Sequence, residues 1–373
     1  MNRVVGIGDA HLGRQAFSKT TPAGVNQREA DFEAAFEDAV ELALGLEPDL
    51  VVWLGDVFDH ARPAYRAYRV AQRALARVRD HGVPLVAIAG NHDMPRLRGS
   101  ASAYAALADA FPGFAFAHAG AYECFDFPGV RVHAVPQTAT VEEALSALET
   151  AAANRSLDRT NLLLAHPRIR EVEPRPRDLN EVTLDAAALS SDLVLLGHYH
   201  VPTRVREGAW FAGSTDTFSF KDQPNRHKGV LLVDCDEGRF THHATSGRRP
   251  LIDLEPIAAA GLSPSELEET LLERVAEIPS GAVARLFVDG AEVQAYRLVD
   301  HRAVAAAAGG ALALRIEPTF LDTASRLAEL PNREAIGDRW SSYLENQDLT
   351  GYDGTQLCRD GADLLAAAID EAG

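Results

Sequence analysis

The 373-residue chain is poor in cysteine: Cys124, Cys235 and Cys358 are odd in number and widely separated. That excludes a disulfide framework and a cysteine-rich zinc site, so any metal ligands belong to His, Asp and Asn. Apolar runs are short, none near the roughly 20 residues of a membrane-spanning helix, and the N-terminus enters a strand-like run with no charged-then-apolar leader. A soluble cytoplasmic protein without membrane contact is expected. Serine occurs in no G-x-S-x-G elbow, and Cys358 lies in the tail, so nothing points to nucleophilic catalysis by Ser or Cys. Lysine is scarce as well, standing only at 19, 221 and 228, so nearly all positive charge is arginine.

What is present is acid, unevenly placed. The formal charge is −18, but residues 251–373 carry 9 Arg against 22 Asp plus Glu, a balance of −13, while residues 1–250 are nearly neutral at −5. An overall negative chain argues against polyanion partners, yet the excess lies in its last third.

Five short apolar runs each lead into polar residues: VVGIGDAH (4–11), LVVWLGD (50–56), PLVAIAGNHD (84–93), NLLLAHP (161–167) and LVLLGHYH (193–200). Such runs of Val, Leu and Ile read as strands buried on both faces, and a central sheet brings their ends to one rim. Asp9 and His11 alternate on one extended segment, so both side chains can turn toward one ion. Asp56 has two oxygens with which to bridge two cations, and Gly55 before it permits close backbone approach. Asn91 adds a neutral oxygen, His92 beside it can face a substrate, and His166, His198 and His200 supply imidazole nitrogens suited to Mn, Fe or Zn more than Mg. A single buried His at a strand end is more often a hydrogen-bonded structural residue, and a lone GD or GH marks a turn. Five together are different, because burying so many unpaired charges costs several kcal/mol apiece. The set reads as a dinuclear metal centre.

Strand-like and helical stretches alternate from 1 to about 249. Helical spacing occurs at 26–46 and within 63–80 and 141–153, and further strands at 130–136, 210–213 and 230–234, enough for two mixed sheets flanked by helices. After a junction at SGRRP (246–250), the order β-α-β-α-β over 250–320 predicts a small α+β domain, with helices at about 264–277 and 295–307. From 321 to 373 a helix at 333–346, carrying Trp340, Tyr343 and Leu344, precedes an Ala-rich final helix.

In order, the motifs GDAH, GDVFD, GNHD, AHP and GHYH resemble those of the calcineurin-like metallophosphoesterases. The segments DAHLGR, GDVFD with Arg62-Pro63, WFAGSTDTFSF and HKGVLLVD resemble, within them, the SbcD type DNA repair nucleases and their meiotic-recombination counterparts. The resemblance implies an α/β fold of two mixed sheets packed as a sandwich between helices, over 1–249, with a capping domain at 250–320. It implies one cation held by Asp9, His11, Asp56 and His200 and another by Asp56, Asn91, His166 and His198, Mn2+ foremost, with His92 assisting the chemistry. It further implies a nucleoid-associated exonuclease and endonuclease of double-strand break repair, a homodimer, and an SMC-like coiled-coil ATPase of the SbcC type docked through the C-terminal helices. Where many relatives carry a second catalytic His, three positions after the bridging Asp, this chain has Asp59, followed by His60; the latter reads as a surface residue.

For DNA contact the sequence offers Arg96 and Arg98 after GNHD and Arg168 and Arg170, with Arg175 and Arg177, after AHP. Arg66, Arg69, Arg73 and Arg77 form a helix stripe whose simpler reading is a solvated face. Two other functions compete: a small-substrate phosphodiesterase or phosphatase of the same superfamily, and a non-catalytic scaffold for the ATPase. The domain after 250 speaks against the first, the intact ligand set against the second.

Overall fold

The runs LVVW, LVAI and LVLL have no polar face to show to water, and each forms a strand buried along its whole length. The computed structural model describes residues 2–95, 102–173, 181–222, 228–321, 340, 344, 353–361 and 364. In chain order come β1 (Arg3–Ile7), α1 (Gln27–Gly45), β2 (Leu50–Trp53), α2 (Tyr65–Asp80), β3 (Leu85–Ile88), α3 (Ala103–Ala110) and β4 (Ala115–Ala117). There follow β5 (Glu123–Phe127), β6 (Val130–Val135), α4 (Val141–Ala153), β7 (Thr160–Ala165), β8 (Arg168–Ile169), β9 (Thr183–Leu184), β10 (Leu193–Leu196), β11 (Thr203–Arg206), β12 (Ala209–Phe211), β13 (Gly229–Asp234) and β14 (Arg239–Ala244). Then come β15 (Leu251–Asp253), β16 (Ile257–Ala258), α5 (Pro264–Ala276), β17 (Val283–Ala291), α6 (Val293–Leu298), α7 (His301–Ala307) and β18 (Ala313–Phe320).

The fold is mixed α/β with two six-stranded sheets, ordered β14-β13-β1-β2-β3-β4 and β11-β12-β10-β7-β6-β5. In the first, β1 pairs in parallel with β2 and β2 with β3; in the second, β6, β7 and β10 are parallel neighbours. The two mixed sheets flanked by helices that were expected are thus formed, and the five apolar runs are shared between them, three and two, rather than all lying in one central sheet. The sheets pack face to face: Val4, Leu50, Val52 and Ile88 of one meet Val132, Leu162, Leu164 and Leu195 of the other in one buried cluster. Helices α1, α2 and α3 cover the outer face of the first sheet, with Phe36, Val40, Val70 and Leu75 against Val51 and Trp53. Ala144, Ala147 and Leu148 of α4 cover the second against Leu163 and Val194.

Chain termini of helices are chosen locally. Asn26 caps α1 by accepting from the backbone of Arg28 and Glu29, and Thr140 caps α4 by accepting from Glu143. The arginine stripe of α2 is not solvated alone: Arg66, Arg73 and Arg77 pair with Glu33, Glu37 and Glu41, which stand one turn apart on α1. These arginines serve the helix pair.

By compactness the chain divides into a first unit, Met1–Glu255 with Leu271–Leu286 and His301–Ile316, and a second comprising Pro256–Thr270, Phe287–Asp300 and the residues from Glu317 onward. In the first, β15 pairs in parallel with the opening of β17 through Leu251↔Val283; in the second, β16 pairs with its later residues through Ile257↔Val288. The helix expected at about 295–307 is two helices, because Val299 takes an extended backbone (φ −61°, ψ 137°) and the Asp300 amide donates to Glu268 at 2.8 Å instead of continuing the turn. Most of the helix expected at 333–346, Tyr343 included, lies outside the described residues; Leu344 is buried and Trp340 Nε1 donates to the Leu357 carbonyl at 3.4 Å.

Phe36 is fully buried between α1, α2 and the first sheet. Phe36→Ala is expected to lower unfolding free energy by about 3–5 kcal/mol in urea titrations. Arg73→Ala, which removes a half-exposed ion pair, is expected to cost less than about 1 kcal/mol.

Candidate metal centre

The ends of β1, β2, β3, β7 and β10 meet at one edge of the sandwich, and hydrogen bonds between their loops fix the meeting. The Asp9 amide donates to the Gly55 carbonyl at 3.2 Å, and the His11 amide to the Asp56 carbonyl at 2.9 Å. The Asp9 carboxylate accepts from the His198 amide at 2.9 and 3.0 Å, and Asp56 Oδ1 accepts from the His92 amide at 2.8 Å. Asp93 is wholly buried and accepts from the amides of Phe58 at 2.9 Å and Gly90 at 3.0 Å, tying the second motif to the third.

Asp9, His11, Asp56 and His198 all have positive φ, at 48°, 45°, 49° and 96°. Such left-handed backbone costs a side-chain-bearing residue on the order of 1–3 kcal/mol, and it is concentrated in candidate ligands. The turn it makes swings each side chain off the strand axis into a common pocket. Two glycines leave room for them. A Cβ on Gly55 would stand 2.5 Å from His166 Nδ1 and 2.8 Å from the Gly90 amide, and one on Gly90 would strike Asp56 Oδ1.

Asp9, His11 and Asp56 are nearly inaccessible and His166 is 3% exposed. Potential ligand atoms gather in three overlapping groups, Asp9–His11–His200, His11–Asp56–His92 and Asp9–Asp56–His166, within each of which all atoms lie inside 4.8 Å. His198 and Asn91 adjoin them, with His198 Nδ1 3.2 Å from Asn91 Oδ1. Nε2 of His166 stands 3.2 Å from Asp56 Oδ2 and Nε2 of His11 stands 3.6 Å from it, yet neither nitrogen makes a well-directed hydrogen bond although both are buried. Buried polar atoms are normally satisfied, so two orphaned imidazole nitrogens beside two carboxylates fit a cation. The opposite nitrogens are held: His166 Nδ1 donates to the Leu54 carbonyl at 2.6 Å, and His11 Nδ1 lies 3.1 Å from Asp59 Oδ1.

Two carboxylates in one buried pocket demand positive charge. Burial pushes Asp9 up to about 7 against the pull of His166, and neighbouring Asp56 adds to the rise. Burial also works against Asp56, but His166, His11 and His92 hold it far below the usual carboxylate range. The counter-charge is a proton on His166: burial opposes it, but Asp56 and Asp9 carry its pKa up to about 9. His11 and His200 go the other way, lowered by burial despite their partners Asp59 and Asp222, His200 to about 4. His92 is raised, its burial outweighed by Asp56 and by the Asp59 carbonyl, to which Nδ1 donates at 2.9 Å.

Of the arginines expected at a substrate, Arg96, Arg98, Arg175 and Arg177 lie outside the described residues. Arg168 is 5% exposed, its guanidinium held by Thr183 Oγ1 at 2.9 Å and the Glu173 carbonyl at 2.5 Å. Arg170 is exposed and pairs with Asp185 at 2.7 Å. His60 is exposed, 3.5 Å from Asp59. Sequence reasoning passed over Asp93, Phe218, Asp222 and Lys228. Lys228 is buried and donates to the His200 carbonyl and to Ser214 Oγ at 3.0 Å, steadying the fifth loop. Asp93, Phe218 and Lys228 stood inside the quoted segments GNHD, WFAGSTDTFSF and HKGVLLVD, whereas Asp222 stood in none.

The family model of the calcineurin-like phosphoesterases matches residues 2–202. This chain belongs to that family. It is 27% identical over 239 residues to the DNA double-strand break repair protein Mre11 of Methanocaldococcus jannaschii, covering 62% of each chain. It is 24% identical over 242 residues to the protein of that name from Saccharolobus solfataricus, covering 63% of this chain and 60% of the relative. To that of Haloferax volcanii it is 30% identical over 285 residues, 74% of this chain and 58% of the relative. The chain spans about three fifths of the length of these curated relatives. Among the described residues no helix is long and apolar enough to cross a membrane.

A cation binding through His166 must displace the proton that Asp56 holds there. Mn2+ affinity is therefore expected to rise as pH climbs from 6.5 toward about 9 and to level off above it. Calorimetry in buffers of different ionisation enthalpy counts the protons released; uptake of protons, or none moved, contradicts this.

Proposed function

We propose that this chain is a two-metal-dependent DNA nuclease, an exonuclease with endonuclease activity, working in double-strand break repair. The observation that carries the reading is the pair of orphaned nitrogens, His11 Nε2 and His166 Nε2, that both stand within 3.6 Å of Oδ2 of the buried Asp56 carboxylate. Membership of the phosphoesterase family and the likeness to proteins named for break repair support it. In this reading Asp9, His11, Asp56 and His200 hold one cation, Mn2+ before Fe or Zn, and Asp56, Asn91, His166 and His198 hold the other. Bound there, two cations clamp a phosphodiester oxygen and acidify a water.

The chain's own residues do the rest. Asp56 keeps the two positions together while its Oδ1 stays fixed by the His92 amide. His92, anchored through Nδ1 to the Asp59 carbonyl, presents its other nitrogen to the reacting phosphate. Its raised pKa suits it to give a proton to the leaving oxygen. Arg170, exposed just after the fourth motif, contacts the DNA backbone together with Arg96 and Arg98, whereas the buried guanidinium of Arg168 holds its own loop. Residues 1–249 form the nuclease domain and 250–320 a capping domain, and 321–373 docks an SMC-like ATPase of the SbcC type, in a homodimeric assembly acting on the nucleoid in the cytoplasm. The acidity of that last third, −13 over residues 251–373, favours a basic protein surface over phosphate as its partner.

Incubation with Mn2+ of linear duplex DNA, closed circular DNA and a bis-nitrophenyl phosphodiester tests the reading. Linear DNA should be degraded, and His92→Ala should slow this by about 10²–10⁴-fold while Mn2+ is still bound. Hydrolysis of the small ester alone, or DNA loss unchanged in the variant, would sink the nuclease assignment.

A further inference from the structure

Of the three imidazoles grouped with Asp9, two, His11 and His200, are backed by carboxylates. His11 Nδ1 lies 3.1 Å from Asp59 Oδ1, and His200 Nδ1 lies 3.4 Å from Asp222 Oδ2. Each carboxylate is buried and anchored in turn: Asp59 accepts from Arg14 at 3.2 Å, and Asp222 accepts from the Phe218 amide at 2.9 Å. With the N–H placed on Nδ1, each ring keeps its Nε2 lone pair, and that of His200 lies 4.0 Å from Asp9 Oδ1. One aromatic ring also packs against both. The Phe218 centroid lies 4.3 Å from that of His11 and 4.2 Å from that of His200, while Arg14 sits 5.0 Å from the same ring. The pair is fixed in tautomer and in rotation.

The imidazoles on the other side are backed differently. His166 Nδ1 donates to a neutral carbonyl, that of Leu54 at 2.6 Å. Glu181 stands at ion-pair distance from His198 Nε2, 3.9 Å, and shares its charge with the buried Arg168 guanidinium at 3.7 Å. A carboxylate hydrogen-bonded behind a ligating histidine increases the electron density at its other nitrogen and typically accounts for about 10–100-fold in metal affinity.

Resting on the two-metal reading above, we infer that the two ion positions are unequal: the one formed by Asp9, His11 and His200 fills first, and Asp59 and Asp222 are the positioning residues that make it so. The deciding measurement is Mn2+ titration of the whole chain by calorimetry, with electron paramagnetic resonance at each ratio. Two resolved steps are expected, the first giving the spectrum of an isolated ion and the second that of a spin-coupled pair. Asp59→Asn and Asp222→Asn keep the shape and remove the charge. Each should weaken the first step by about 10–100-fold and leave the second nearly unmoved. A variant that merely loosened the pocket would weaken both steps alike and lower the thermal midpoint without Mn2+, which overturns the inference. So would a single step in the unmodified protein, or loss confined to the second. Failure of the unmodified protein to bind Mn2+ at all would instead overturn the two-metal reading itself.

Discussion

The structure turns on the burial of two carboxylates, Asp9 and Asp56, in one pocket with almost no access to water. Like charges so placed cannot both remain ionised without positive charge among them, and the chain provides it twice over. His166 takes up a proton beside Asp56, and backbone amides of His198 and His92 point at the two carboxylates from other loops. The arrangement is costly without a cation and favourable with one. The left-handed residues Asp9, His11, Asp56 and His198 belong to the same account, since backbone strain at four candidate ligands persists only where the surrounding loops over-determine it.

The sandwich makes that over-determination possible. Parallel neighbours β1, β2 and β3 in one sheet and β7 and β10 in the other end at a common edge. Their interior residues interlock in a single apolar layer, so no strand can slide without unpacking Leu50, Ile88, Leu162 or Leu195. Rigid strand ends then hold short loops, and glycines at 55 and 90 let those loops approach to distances no side chain would permit. Precision at the site is inherited from packing far from it.

Much of this was legible in the sequence. The apolar runs read as buried strands, and the polar residues closing them read as one site, because a strand buried on both faces has no other way to bring Asp or His to a surface. What was misjudged has physical causes. Two mixed sheets were expected, but how the five runs divide between them was not, because apolar character reports burial and not which neighbour buries it. The arginine stripe of α2 faces the Glu33, Glu37 and Glu41 ladder of α1, a pairing set by how two helices lie on a sheet. Val299 breaks an otherwise helical stretch because a tertiary hydrogen bond from Asp300 to Glu268 outcompetes the next turn.

By itself the sequence determined the strands, the family motifs and the identity of the polar residues at each strand end, since these follow from local hydrophobic pattern and side-chain chemistry. Tertiary structure alone decided what stands behind those residues. Asp59 backs His11 from 48 positions away, Asp222 backs His200 from 22 away, and the Leu54 carbonyl backs His166 from 112 away. No periodicity encodes such pairs, because a hydrogen bond to the far side of an imidazole depends on where the folded chain returns and not on what precedes it.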